Sequence, residues 1–404
     1  RRDSGVTHWC RVVAAEVMLG MAGVVLIPTG ASAQSDWLDG YLQTVPIFSG
    51  ATDVTESNVS DFSRFRLTAQ PVFGPFSVEV SYEHGLNIRR RRTTEGLGLS
   101  AVPSGGEWFD LQWTVQDQQH ARWTHRFDRF HVAWTPMETV DVRVGRQAVS
   151  WGTTLFLTPA DPFLPFSPTD PFRLYRGGVD AGRIRLSPSP LSEIDLVIRP
   201  TRTAFGEEVT ALGRGLAVWK NWELSAWGGT LYGDTTGAVG VAGSVGPWAL
   251  RGEGVVREMR ETLVFRGSLG VDRAWQVHGR DFVFLVEYQR DNMAASGADE
   301  YLALLQSAPF QRGEYQVLGR DEVAVQGSYQ VHPLLSVAGF GLWNANDGSV
   351  LVSPNLSFSA SNETTVSGGV YFGFGASDVT PARPLPSEYG LSGVTGYISV
   401  SWFF

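Results

Sequence analysis

The sequence predicts an all-β chain closed into a transmembrane antiparallel β-barrel, with eighteen strands as the expected count and sixteen as second choice. Three observations carry this expectation. Segments of roughly ten residues alternate apolar with polar side chains along most of the chain. Tight turns and longer loops join them in succession. Downstream of the first few dozen residues, no stretch approaches the ~20 continuous apolar residues that a membrane helix needs, so strands are the elements left to cross a bilayer.

The N-terminal segment is read first. Arg1, Arg2 and Arg11 precede a mostly apolar run from Val12 to Ile27, interrupted by Glu16. Pro28, Thr29 and Gly30 follow, and then Ala31-Ser32-Ala33. A basic start, a short apolar stretch and a small-residue site are the three parts of a secretory signal. Residues 1–33 are therefore expected to be a signal peptide cut before Gln34, and residues 34–404 to be the barrel. The run is too short and too charged to favour a membrane anchor.

The strands come next. Phe76, Val78, Val80 and Tyr82 alternate with Ser77, Glu79, Ser81 and Glu83. Phe282, Phe284, Val286 and Tyr288 alternate with Val283, Leu285, Glu287 and Gln289. Short connections fall near Pro71–Pro75, Pro136–Thr139, Ser187–Ser192, Lys220–Trp222, Gly246–Pro247 and His332–Pro333. Long ones fall near Gly85–Gln119, Gly152–Gly177, Asn292–Arg320 and Ala376–Glu388, which gives the asymmetry of periplasmic turns and external loops. Parity requires an ascending strand before Asp61–Gln70, and the weak segment Asp36–Phe48 supplies it. Sixteen stays open because Trp108 to Trp134 is long for one strand. A soluble sandwich would have shorter strands and less regular turn lengths.

The chain ends on the clearest strand. Val394, Gly396, Ile398, Val400, Trp402 and Phe404 share one face; Thr395, Tyr397, Ser399, Ser401 and Phe403 share the other. This ending resembles the C-terminal insertion signal of outer-membrane proteins, carried by Ile398, Val400, Trp402 and Phe404. The resemblance implies the bacterial outer membrane as address, the barrel-assembly machinery as partner, and outer-membrane lipids with lipopolysaccharide as surroundings.

Composition excludes several functions. The single cysteine, Cys10, lies in the signal segment, which removes disulfides, thiol chemistry and cysteine metal sites from the barrel. A net charge of −9 opposes nucleic-acid binding through general electrostatics. The 14 tryptophans fit interfacial girdles. No Gly-x-Ser-x-Gly occurs, and Ala242-Gly243-Ser244-Val245-Gly246, the nearest approach, reads as strand interior. His84, His120, His125, His131, His278 and His332 are scattered without metal-ligand spacing. The expectation is a non-enzyme with no cofactor and no metal.

Function then rests on charge inside the barrel. Alternation puts Arg64, Arg66, Arg143, Arg183, Arg185, Arg199, Arg251, Arg257 and Arg266 in the lumen, with Glu79, Glu83, Asp141, Asp195, Glu253, Asp272 and Glu287. Inward placement follows because a charge facing lipid at the midplane costs about 2–4 kcal/mol. Two readings stay open. In one, these groups pair and stiffen a wet interior. In the other, the guanidiniums form a ladder that passes anionic solutes through forked hydrogen bonds.

The most distinctive stretch is Val142 to Val179. Gly145-Arg146-Gln147 ends a strand. The loop that follows holds Pro159-Ala160-Asp161-Pro162-Phe163 and Pro168-Thr169-Asp170-Pro171-Phe172-Arg173, and Gly178 leads the next strand. Its prolines forbid ladder pairing, while Leu155, Phe156, Phe163, Leu164 and Phe166 are too apolar for a solvated loop. Such a loop gains by folding against something, either the barrel mouth or a partner. The stretch is similar to that of porins of the alginate-export type and related proteobacterial barrels. That resemblance implies an eighteen-stranded channel with an Arg-rich lumen, in which Asp161, Asp170, Arg173 and Arg176 line a constriction facing the arginine wall. Arg89 to Arg92 form a basic run in an external loop, read as a solvated charge cluster or a contact for lipopolysaccharide phosphates. The expected function is a passive channel for small polar or anionic solutes or oligosaccharides. A structural or assembly barrel for surface-polymer export and a transporter of hydrophobic compounds are the alternatives.

Overall fold

A computed structural model describes residues 37–52, 54–90, 105–165, 172, 174–381 and 383–404. The signal segment, Asp170, Arg173 and the arginines at 91 and 92 lie outside the described residues. Among those described, eighteen antiparallel strands close into one barrel. Each wall strand pairs with its sequence neighbour, and the first, Leu38–Ser49, closes the ring on the last, Thr395–Phe403. The seam runs from Tyr41 opposite Phe403 to Ser49 opposite Thr395. It ends on a reciprocal pair, Gly40 N to Phe404 O and Phe404 N to Gly40 O, both 3.0 Å.

The period-two pattern sorts the two faces as the bilayer requires. In Ser192–Thr203, Asp195, Val197, Arg199 and Thr201 are buried inside, while Ile194, Leu196 and Ile198 face outward and are exposed. The terminal strand obeys the same rule: Tyr397, Ser399 and Ser401 are buried and Ile398 is exposed. Aromatic side chains gather beside the tight turns, as in a lipid-interface girdle. Phe76 stacks on Trp134 at 6.5 Å, and Trp248 meets Trp275 edge-on at 5.9 Å.

The long stretch before Trp134 resolves into two elements. Ala121–Met137 is the wall strand, and Gln112–Asp117 pairs only with it. The reason lies in the next strand, Val140–Gln147, which pairs with the wall no further than Phe130. Beyond that point the edge of Ala121–Met137 would stand unpaired, and the short strand covers residues 122–126 of it.

The external side is less uniform than the sequence suggested. Connections 204–205, 232–233 and 260–261 are as short as periplasmic turns, so one side of the rim is low. The hairpin at Tyr232-Gly233 has φ of +51° and +87°, the primed geometry that two-residue hairpins need. Arg260 and Glu261 adopt +48° and +68° without a glycine. The long loops lean over this low side. In the seventh external loop, helix Tyr301–Leu305 packs by Tyr301 and Leu304 against Leu385 and Leu391 of the ninth loop, and helix Ala308–Gln311 adds the partly buried Phe310.

Candidate functional site: the inward third loop

The third external loop, described over residues 148–165, 172 and 174–178, folds into the barrel, and the wall dictates how. Val140–Gln147 reaches Gly145, where φ is +122° and a Cβ would sit 2.3 Å from Phe130 O. Glycine is required there by both conformation and space. Arg146 is then fixed by a forked pair to Asp180, with Nε and Nη2 each donating at 2.8 Å. Its Nη1 donates to Glu107 at 2.8 Å. Burial pushes the Glu107 carboxyl above its usual range, with Arg146 opposing the shift. The Asp180 carboxylate also accepts from the amides of Trp108 and Phe109 at 2.9 Å, which ties the second loop to the point where the third departs.

Past Gln147 the chain leaves the sheet, so its amides lose their ladder partners. Lumen carboxylates replace them. Trp151 Nε1 donates to Asp195 at 2.8 Å, and Arg183 clamps the same carboxylate through Nε and Nη2 at 2.9 and 2.6 Å. Glu253 accepts from Thr153 N, Thr154 N and Ala160 N at 2.6, 3.2 and 2.9 Å. Glu287 accepts from Leu155 N, Phe156 N and Leu157 N at 2.6, 2.8 and 2.9 Å. The apolar side chains find apolar partners within the loop and on the facing wall. Trp151 meets Phe163 edge-on at 5.0 Å, and Phe156 lies 5.2 Å from Phe340. Phe172 packs edge-on against Tyr397 at 4.8 Å. The loop thus crosses from its own strands to the opposite wall and on to the seam.

The seventh loop meets it there. Thr158 N donates to Gln316 Oε1, and Gln316 Nε2 donates to Phe156 O, both at 2.6 Å. A small cavity lies between the turn at Pro159–Pro165, the wall residues Trp227, Leu231, Val255 and Arg257, and the loop residues Arg312 and Glu314.

Each of the nine lumen arginines singled out in the sequence has a described partner. Arg66 Nη1 donates to Glu83 at 2.5 Å and to Asp128 at 2.8 Å. Arg143 and Arg185 share one carboxylate, Asp141, at 2.8 and 2.9 Å. Arg251 pairs with Asp272. Arg257 bridges Asp234 at 2.7 Å and Glu314 at 2.5 Å. Arg266 binds Asp291 at 2.9 Å. Arg64 and Arg199 differ. Their hydrogen bonds go to neutral acceptors: Phe172 O at 3.1 Å for Arg64, and Tyr232 Oη at 3.0 Å with Gly105 O for Arg199. In the third loop itself, Asp161 accepts from Ser150 Oγ at 2.8 Å and from Arg176 Nη1 at 2.5 Å.

Sequence reasoning missed Asp128, Glu107, Arg312, Glu314 and Gln316. All but Asp128, which sits at a strand irregularity, lie in loops, where no period marks a facing direction.

No family model matches the sequence, and no curated protein matches it. Solved structures do match its fold. A BenF-like porin from Pseudomonas fluorescens aligns with a TM-score of 0.57 at 10% identity, over 91% of this chain and 98% of its own. OpdQ from Pseudomonas aeruginosa aligns with 0.55 at 10% identity, over 92% and 99%. OpdK from the same organism, solved with vanillate, aligns with 0.53 at 10% identity, over 91% and 98%. The fold is that of outer-membrane porins.

Proposed function

We propose that this barrel is a passive outer-membrane channel for small polar solutes, with a preference for anions set where the third loop narrows the lumen. The observation that carries the reading is the inward loop itself, pinned by Asp195, Glu253 and Glu287 of three different strands. A loop held this way narrows the lumen without sealing the wall, and the side chains left beside it decide what passes.

The anion preference is assigned to the arginines that have no carboxylate of their own among the described residues. Arg64 and Arg199 bond neutral acceptors, and Arg143 and Arg185 divide a single Asp141. Arg183, with Nε and Nη2 on Asp195 and Nη1 on Ala148 O, has no nitrogen left free for a passing solute. A carboxylate as compact as the vanillate found with OpdK is the size of solute this reading favours. Asp161 and Arg176 belong to the loop side of the same narrowing.

Planar-bilayer recording tests the proposal. Stable conductance steps with an anion-selective reversal potential in a salt gradient are expected. Replacing Arg64 and Arg199 with glutamine should move that potential toward zero selectivity. A folded barrel that stays silent refutes the channel reading and favours a structural barrel.

A further inference from the structure

The cavity beside the third loop has one unusual wall. Its walls are apolar where Trp227, Leu231 and Val255 face it and cationic where Arg257, Arg266 and Arg312 face it. As it stands this space, greasy on one side and cationic on the other, has room for about one water molecule, so an organic anion enters only as a group that now fills it withdraws. The cationic end is already engaged by Glu314, which enters from the seventh loop. Its Oε2 accepts from Arg257 at 2.5 Å and its Oε1 from Arg312 at 3.4 Å. The backbone oxygen of Glu314 accepts from Arg266 at 2.7 Å. Gly313, just before it, has φ of +73°, a conformation that turns the chain and directs Glu314 downward.

The other acids around these arginines are placed differently. Asp234 and Asp291 hold Arg257 and Arg266 from the wall, and Glu208 holds Arg312 from the rim, without lining the cavity. Asp161 also lines the cavity, but it is held by Ser150 and Arg176. Among the described residues, Glu314 is the one cavity-lining acid whose carboxylate touches Arg257 and Arg312, and its backbone oxygen takes Arg266.

We infer that Glu314 is a tethered stand-in for the solute's own carboxylate: it occupies the anion subsite of the channel, and a permeating carboxylate enters by displacing it. The inference rests on the channel reading and adds a specificity device to it. A solute must offer at least what Glu314 offers, a carboxylate aimed at the Arg257–Arg312 pair, and gains further if an apolar body fills the side lined by Trp227, Leu231 and Val255. Neutral solutes of the same size have nothing to exchange for the buried ion pair and are selected against. No bond is made or broken; one carboxylate replaces another on the same donors.

The test is calorimetric titration of the full-length, detergent-solubilised barrel with sodium benzoate. Glu314→Gln should bind benzoate at least tenfold more tightly than the parent protein, because the subsite loses its internal competitor. Glu314→Asp, whose carboxylate is retracted by one methylene, should fall between them and serves if the glutamine variant does not fold. Folding is checked by heat-modifiable gel mobility. Glu208→Gln removes a charge from the same arginine cluster outside the cavity and should leave affinity within twofold of the parent. No gain in Glu314→Gln or Glu314→Asp overturns the inference, and so does an equal gain in Glu208→Gln, which would make it general charge. Conductance of the parent reads the channel proposal separately: a silent barrel whose Glu314 variants still gain benzoate affinity loses the channel and keeps the internal anion.

Discussion

The ring of Phe404 lies where a side chain on Gly40 would be: a Cβ there would stand 2.5 Å from Phe404 Cζ and 2.6 Å from Arg66 O. Phe404 thus seats on the third residue of the first wall strand, and the two exchange both backbone hydrogen bonds. The barrel seam closes on a glycine because the terminal aromatic needs the room. Gly40→Val should lower the yield of folded, heat-modifiable barrel severalfold. A normal yield would show that the seam tolerates the clash.

Asp195 serves two donors at once, Trp151 of the third loop and Arg183 of the wall. Asp195→Asn keeps an acceptor for the indole and removes the charge, leaving the Arg183 guanidinium nearly buried without a counterion. Breaking a buried pair from one side costs about 3–5 kcal/mol. Urea unfolding in detergent should show a loss of that size, and a shift under 1 kcal/mol would mean that Arg183 finds another partner.

Glu287 holds three successive amides, those of Leu155, Phe156 and Leu157. Glutamine offers one carbonyl oxygen in place of two carboxylate oxygens, so at least one amide is left without its acceptor, at about 1–3 kcal/mol. Glu287→Gln should loosen the loop and raise single-channel current noise. Quiet recordings identical to the parent's would place the loop's anchorage at Glu253 and Asp195 alone.

The hairpin at Arg260-Glu261 carries positive φ at both positions with no glycine. A left-handed conformation costs a non-glycine residue roughly 1–2 kcal/mol. Glu261→Gly should therefore stabilise the barrel, by about 0.5–1 kcal/mol after the added freedom of the unfolded chain is counted. Thermal unfolding followed by gel mobility checks the sign.

The ninth loop is fastened through Glu388. Its carboxyl accepts from Leu318 N at 2.7 Å, Gly319 N at 3.1 Å and Asn344 Nδ2 at 2.8 Å. The acids facing it are Glu322 and Asp347, and the phenols are Tyr301 and Tyr389; no arginine is bonded to it among the described residues. Burial, with Asp347 adding to it, raises the Glu388 carboxyl above the ordinary glutamate value. A carboxyl raised in the folded state supports that state fully below its unfolded pKa, and the support is lost as pH climbs from there through the folded value. The fastening should weaken as pH rises from about the ordinary 4.5 upward. Hydrogen exchange of the Leu318 and Gly319 amides, expressed relative to Glu388→Gln at each pH, should quicken with rising pH. A flat ratio would remove Glu388 from the fastening.

The wall was legible in the sequence because a strand's period writes its facing direction into every second residue. Ser192–Thr203 shows this, with Asp195 and Arg199 inside and Ile194 and Ile198 outside. The count of eighteen followed from turn parity, and the long Trp108–Trp134 stretch that kept sixteen open holds one wall strand and one edge cover. The low rim at 204–205, 232–233 and 260–261 was not legible, since Arg260-Glu261 carries none of the usual residues of a primed turn. Nor were the loop's anchors. Glu253 and Glu287 were readable as lumen acids, but their partners are main-chain amides, which every residue has and no pattern marks. The same holds for Arg312 and Glu314, whose positions follow from loop packing and not from any period.

The anchorage of the third loop also bears on the order in which the barrel is made. Its acceptors, Asp195, Glu253 and Glu287, are all later in the chain than the loop, and Phe172 rests on Tyr397 of the last strand. While strands are being added, residues 153–157 have amides with nothing to receive them but water. Only when the far wall has come round is the loop's backbone taken up. The loop's seat therefore needs strands far later in the sequence than the loop itself, and its contact with Tyr397 needs the closing strand.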